Sequence, residues 1–322
     1  MSKLSKILVI IAAILVIVGM VTVIISLSNG ALGEQSKVEY VSNSHQVEEE
    51  FTSILFDTGT ADIIFAVSED GKCKVDCFEE KDATHKVEVS DGTLKVILVD
   101  EREWFEHIGI NTETPKITLY LPKNEYSSLS ITESTGELVI PSNFKFNSID
   151  ISASTGGIKC YSSCNEFLKI ETSTGSIKLE NVSAKTVDLK ATTGSITVNS
   201  LNCEGDFSLN VSTGKTTLTD VKCKNFTSNG STGNITLTDV IAETSFNIER
   251  STGRVRFESS DASEIFVKTS TGSVRGTLRS NKIFLTETST GEIDVPKSTE
   301  GGRCEITTST GDIEIEVKPK SE

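Results

Sequence analysis

The sequence predicts an all-β protein: a parallel β-solenoid of about ten 19–20-residue coils with an N-terminal antiparallel β cap, preceded by one transmembrane helix. Three observations predict it. A Ser/Thr-Thr-Gly triplet recurs ten times at nearly constant spacing. The residues around each triplet alternate between apolar and polar with period two, the signature of a strand with one buried face. An uncharged apolar run precedes everything else.

That run spans residues 7–27, from Ile7 to Leu27, and is 21 residues long. About 20 apolar residues cross a bilayer as a helix. A cleavable signal peptide ordinarily has an apolar core of about 7–15. We therefore read 7–27 as an uncleaved signal anchor, with a signal peptide as the alternative. Lys3 and Lys6 lie before it, and the first charge after it is Glu34. Cationic flanks stay cytoplasmic, so residues 1–6 form a cytoplasmic tail and the bulk of the chain is extracytoplasmic, tied to the cell membrane.

Residues 28–50 read as a polar linker and residues 51–126 as an acidic β cap. Between 48 and 113 stand 18 Asp and Glu against 6 Lys and Arg, a local net of −12 out of −15 for the chain. Such a surface repels nucleic acid, anionic lipid and anionic wall polymers, and with no basic stripe nucleic-acid binding is excluded. The block is a solvated face, or a surface for divalent cations or cationic peptides. Strand-like runs such as ADIIFAV, KCKVDCF and KITLYLP, with SEDG and SDGT as turns, suit an antiparallel cap over the first coil. DEREWFEHIGIN, with Trp104 and Phe105, reads as a loop or short helix packing on the cap; a partner-binding tip at Trp104 and Phe105 is the alternative.

Residues 127–322 carry the repeat. Its glycines are Gly136, Gly156, Gly175, Gly194, Gly214, Gly233, Gly253, Gly272, Gly291 and Gly311, spaced by 19 or 20. Two and four residues beyond come apolar side chains, as in Ile177 and Leu179 or Ile196 and Val198, with Thr216 and Gly276 the exceptions. Seven and five residues before come others, as in Leu168 and Ile170. Nine residues beyond lies a small-residue column: Ala184, Cys203, Cys223, Ala242 and Ala262. The Gly291 unit is out of step, with Ile283 and Leu285 at −8 and −6, which predicts a bulge. Coils stacked about 4.8 Å apart would make a rod about 45–50 Å long. One coil cannot bury enough apolar surface to offset its ordering entropy, so the copies stabilise one another.

Each glycine is read as a structural corner, where a positive φ costs glycine little. The Thr before it is read as leaning inward to bond the corner backbone or the next Thr. A ladder that binds a flat crystalline ligand would need outward Thr, which that orientation disfavours. A serine nucleophile needs a base, and the three histidines, His45, His85 and His107, lie outside the repeats. Solenoid polysaccharide hydrolases or lyases need clustered Asp, Lys or Arg, whereas Lys178, Lys215, Arg254, Arg256 and Arg275 scatter over several columns. No catalytic, cofactor-binding or metal residue is therefore assigned. The seven cysteines show no metal-ligand spacing. Cys73 and Cys77, four apart on a strand, lie about 13 Å apart and cannot pair. Buried thiols acting as small hydrophobes are expected.

The anchor, the lead-in ADIIF…DGTLKV…ITLYLP and the serial STGxIxV coils resemble a bacterial "putative adhesin" family of unknown-function domains, among them LiaG-like membrane-anchored proteins associated with envelope stress. The likeness covers about residues 50–320. It implies a β-solenoid ectodomain without known catalytic residues, and no residue role carries over. The resulting expectation is a non-enzymatic, membrane-anchored scaffold or adhesin-like protein without a cofactor. Its partners would be the membrane through residues 7–27 and a cell-envelope polymer or a membrane protein. A carbohydrate-binding or carbohydrate-active protein using the solenoid face is the alternative.

Overall fold

The structure is a computed structural model. It describes residues 38–102 and 113–319, and parts of a helix between 12 and 21. Among the described residues no helix is long and apolar enough to cross a membrane. Most of the expected anchor at 7–27 lies outside them, as do Trp104 and Phe105.

The first strands are β1 (Tyr40–Val47), β2 (Ser53–Thr60), β3 (Asp62–Val67), β4 (Cys73–Glu80), β5 (Ala83–Ser90), β6 (Thr93–Asp100) and β7 (Lys116–Leu121). The coils follow as strand pairs: β8 (Glu125–Thr135) with β9 (Leu138–Ile140), β10 (Lys145–Thr155) with β11 (Ile158–Cys160), β12 (Cys164–Thr174) with β13 (Ile177–Ala184), and β14 (Thr186–Thr193) with β15 (Ile196–Cys203). After β16 (Asp206–Thr213), the long strands β17 (Thr216–Thr232), β18 (Ile235–Thr252) and β19 (Val255–Thr271) each run through most of a coil. The last are β20 (Val274–Leu278), β21 (Lys282–Thr290), β22 (Ile293–Asp294), β23 (Gly302–Thr310) and β24 (Ile313–Val317).

The chain is a parallel β-solenoid. Residues of one coil pair with their equivalents in the next: Ile177 with Ile196, Val198 with Leu218, Leu237 with Phe257. The columns legible in sequence are the core. Ile177, Leu179, Leu168 and Ile170 are fully buried, and the small column at Ala184, Cys203, Cys223, Ala242 and Ala262 is buried too. Phe207, Phe226 and Phe246 form a column of rings with centroids 5.2 and 5.8 Å apart, the first pair tilted and the second edge to face.

The corners are glycine for a reason beyond dihedral freedom. At Gly194 φ is 145°, and an added Cβ would lie 1.6 Å from the carbonyl oxygen of Gly175 in the coil below. Its N–H donates to the Thr213 carbonyl at 2.9 Å in the coil above. Nine of the ten repeat glycines share a φ of 132–153°; Gly136 does not, yet its Cβ would still strike the Ala61 carbonyl. A second corner, six residues on, is held by left-handed Asn181, Ser200, Asp220, Asp239 and Ser259, with φ of 50–55°. Asn and Asp tolerate that region best among residues with a Cβ.

The ends depart from the expected order. Residues 51–126 are not one antiparallel cap. Strands β2 and β3 run parallel to β8 and β9 and form a further coil. Strands β6 and β7 run parallel to β2 and β3 on the other side, so the first coil in sequence is enclosed by a later one. Antiparallel pairing joins β4 to β7, β5 to β6, and β4 to β5 at their turn. Asp91 and Gly92 both have positive φ, as the primed turn of a hairpin requires. The expected linker at 28–50 contains β1, which joins β4.

The C-terminal end mirrors this. Strand β23 pairs with β19 on one side and β21 on the other, and β24 lies between β20 and β22. The last coil in sequence is thus inserted beneath the penultimate one. The expected bulge at the Gly291 unit is absent: β21 pairs with β23 without a register shift. Phe284, seven before Gly291, faces the core, and Ile283 and Leu285 are exposed.

Candidate functional site

The Ser and Thr of the triplets point outward. Thr155, Thr174, Thr193 and Thr213 are exposed, as are the residues before them. The inward orientation expected from strand parity fails because the chain begins to turn one residue before the glycine. Adjacent rungs pair directly: Thr155 with Thr174, Thr174 with Thr193, Thr193 with Thr213, Thr213 with Thr232. A column of exposed hydroxyls therefore runs along one corner of the rod. Its spacing is that of the β-ladder, about 4.8 Å.

The column opens into a groove of about 410 Å³ over β16 to β19. Its lining includes Ser212, Ser231, Ser251 and Ser270, with Asn210, Asn229, Glu249 and Lys268 one row back. Asn229 Nδ2 donates to Asn210 Oδ1 at 3.3 Å. At its floor lies Arg250, only 5% exposed. Its Nη2 donates to Ser228 Oγ at 2.7 Å and its Nη1 to the Glu249 carbonyl at 3.3 Å. No carboxylate among the described residues forms an ion pair with it. Burial without a counter-charge pulls its pKa down to about 10.

Three neighbouring departures from the repeat make room for it. Arg250 occupies the third position before its glycine, which holds Ala153, Ala191 or Val211 in other coils. Ser228 replaces the Leu209 and Ile248 of the flanking coils. Gly230 lies opposite Arg250, and a Cβ there would come within 2.1 Å of Nη1. The signal was legible in FTSNGSTG and IERSTG as coincident breaks in two adjacent columns, but sequence reading located the broken repeat at the cap, Trp104 and Gly291 instead.

The same interior column holds a second charge. Glu133 is 2% exposed, and neither carboxylate oxygen has a hydrogen-bond partner among the described residues. Burial, reinforced by the nearby Asp62 charge, pushes its pKa up to about 7. The seven cysteines are buried and unpaired, and burial raises each thiol above its ordinary value.

The Toastrack DUF4097 family model matches residues 51–206 and 202–322. The chain belongs to the Toastrack DUF4097 family. No curated protein matches it. Among solved structures, a "putative adhesin" from Parabacteroides distasonis is 14% identical, with a TM-score of 0.47, over 74% of this chain and 97% of its own. A "putative lipid binding protein" from the same organism is 17% identical, with a TM-score of 0.47, over 73% of this chain and 96% of its own. A further "putative adhesin", from Parabacteroides merdae, is 16% identical, with a TM-score of 0.45, over 74% and 96%.

Proposed function

We propose that this Toastrack solenoid is a non-enzymatic, adhesin-like protein, held at the cell membrane by residues 7–27, that binds an acidic, hydroxyl-rich polymer of the cell envelope along its Ser/Thr corner. One observation carries the reading: Arg250 is a buried guanidinium without a carboxylate partner at the floor of a groove lined by hydroxyls and amides. A buried cation ordinarily has its charge compensated, and a planar fork of N–H donors suits a carboxylate or phosphate. Lys268 adds a second cation on the rim. The regular hydroxyl spacing offers a polymer the same contact again and again, so weak contacts sum through multivalency.

Binding is favoured over cleavage at this face. Glycoside hydrolysis ordinarily uses two carboxyl groups flanking the bond, and the groove lining contains one, Glu249. The test is co-sedimentation of the full-length chain, in membranes, with a uronate polymer and with a neutral glucan. We expect salt-sensitive binding to the uronate polymer, weakened tenfold or more by Arg250→Met and unchanged by Arg256→Met on another column. Equal retention by both polymers, or no effect of Arg250→Met, would contradict the reading.

A further inference from the structure

The cap holds a second, independent group of side chains. Cys77, Glu79 and His85 are each buried, and their donor atoms lie within 4.8 Å of one another. Two come from β4 and one from β5, across a two-residue turn. These strands then part to cover different edges, β4 on β7 and β5 on β6. The cluster sits where the hairpin splays.

Its hydrogen bonds are lopsided. Glu79 is held tightly: Asn43 Nδ2 donates to Oε1 at 2.6 Å, and the His85 backbone N–H donates to Oε2 at 2.7 Å. The His85 Nδ1 also lies 2.7 Å from Oε2. The other ring nitrogen, Nε2, is buried with no hydrogen-bond partner among the described residues. An ion in place of the shared proton would be held by His85 Nδ1 and Glu79 Oε2, the imidazole proton then residing on Nε2. A hollow of about 270 Å³ lies beside the cluster and is lined by Asn43 and Cys77 among others.

We propose that Cys77, Glu79 and His85 form a binding site for a divalent first-row transition ion of the zinc class. Sulfur, nitrogen and carboxylate oxygen together are the donors such an ion takes, and hard calcium or magnesium ions prefer oxygen alone. On binding, the Cys77 thiol gives up its proton to solvent and the thiolate becomes a ligand. Three protein donors leave a fourth position for water. The ion would clasp β4 to β5 at the end of the rod and stabilise the cap through its preference for the folded state.

The test uses the full chain in detergent and Co²⁺ as the probe. A thiolate-to-Co²⁺ charge-transfer band should saturate at one equivalent and disappear on adding Zn²⁺. It should be lost in Cys77→Ser and His85→Gln and kept in Cys304→Ser, a buried thiol at the opposite end of the stack. Either of the first two variants suffices if the other misfolds. Saturating Zn²⁺ should raise the melting temperature of the wild type and of Cys304→Ser by several degrees. No thiolate band in the wild type, or a band surviving Cys77→Ser, would overturn the proposal.

Discussion

The middle of the rod and its two ends are built on the same columns but by different rules. In the middle, sequence neighbours are spatial neighbours: β12 follows β10, β14 follows β12, and each coil rests on the one just made. At the ends the order is broken. The first coil is overlaid by β6 and β7, and the last is inserted between β19 and β21. A solenoid's terminal coils are where fraying and edge pairing begin. Interleaving moves both chain-terminal coils one layer inward. At the C-terminal end the enclosing coil is further tied by a buried ion pair, Lys282 Nζ to Asp261 at 2.7 Å, which reaches from β21 to β19 past the inserted strand.

The largest effect should come from breaking the middle. Gly194→Val places a branched side chain where φ is 145° and the Gly175 carbonyl oxygen is 1.6 Å from the Cβ position. We expect about 4 kcal/mol or more of destabilisation, seen as a large fall in melting temperature or failure to fold. Gly71→Ala lies at a positive φ with nothing within 4 Å, and the contrast isolates the stacking term. An unchanged melting temperature for Gly194→Val would show that the corners tolerate side chains.

Next comes the C-terminal tie. Lys282→Ala leaves Asp261 without its buried partner and should cost about 3 kcal/mol. Loss should appear first as faster exchange in β21. A loss spread evenly along the rod would deny the ion pair its local role.

Glu133 makes the N-terminal counterpart a question of pH. Its pKa is raised in the folded state, from an ordinary 4.5 to about 7. The folded chain therefore keeps a proton that the unfolded chain gives up. That contribution is fully present below about pH 4.5 and is lost as pH rises through 7. At pH 8, Glu133→Gln should be more stable than wild type by on the order of 2–3 kcal/mol, with the advantage vanishing near pH 4. Denaturant melts at both pH values read it, and an equal difference at both would refute the assignment.

The smallest effect sharpens the surface. Thr193 is exposed, so Thr193→Ala should change stability by no more than about 0.5 kcal/mol. A loss of 2 kcal/mol would restore the inward, structural role that strand parity implies.

What sequence could reveal follows the same division. The core columns were legible because identical constraints repeat: Ile177, Ile196 and Ile235 answer one question again and again. The stacking order of the ends was not, because those columns make coils interchangeable. Strand β23 carries the Cys304 and Ile306 that fit against Ile265 and Val267, but nothing in its pattern says that β21 will close over it. Phe284 occupied its proper column in sequence, yet the flanking Ile283 and Leu285 suggested a slipped strand. Cys77 and His85 meet only because a hairpin parts to cover two faces. Their spacing in sequence matches no metal motif.

Hydrogen exchange on β21 and β23 tests the interleaved architecture most directly. If β23 is enclosed, amides of 302–310 exchange as slowly as those of β14, and amides of 282–290 at the free edge exchange much faster. The reverse order, fast exchange in 302–310 over a protected 282–290, would mean that the coils stack simply in sequence and would contradict the account.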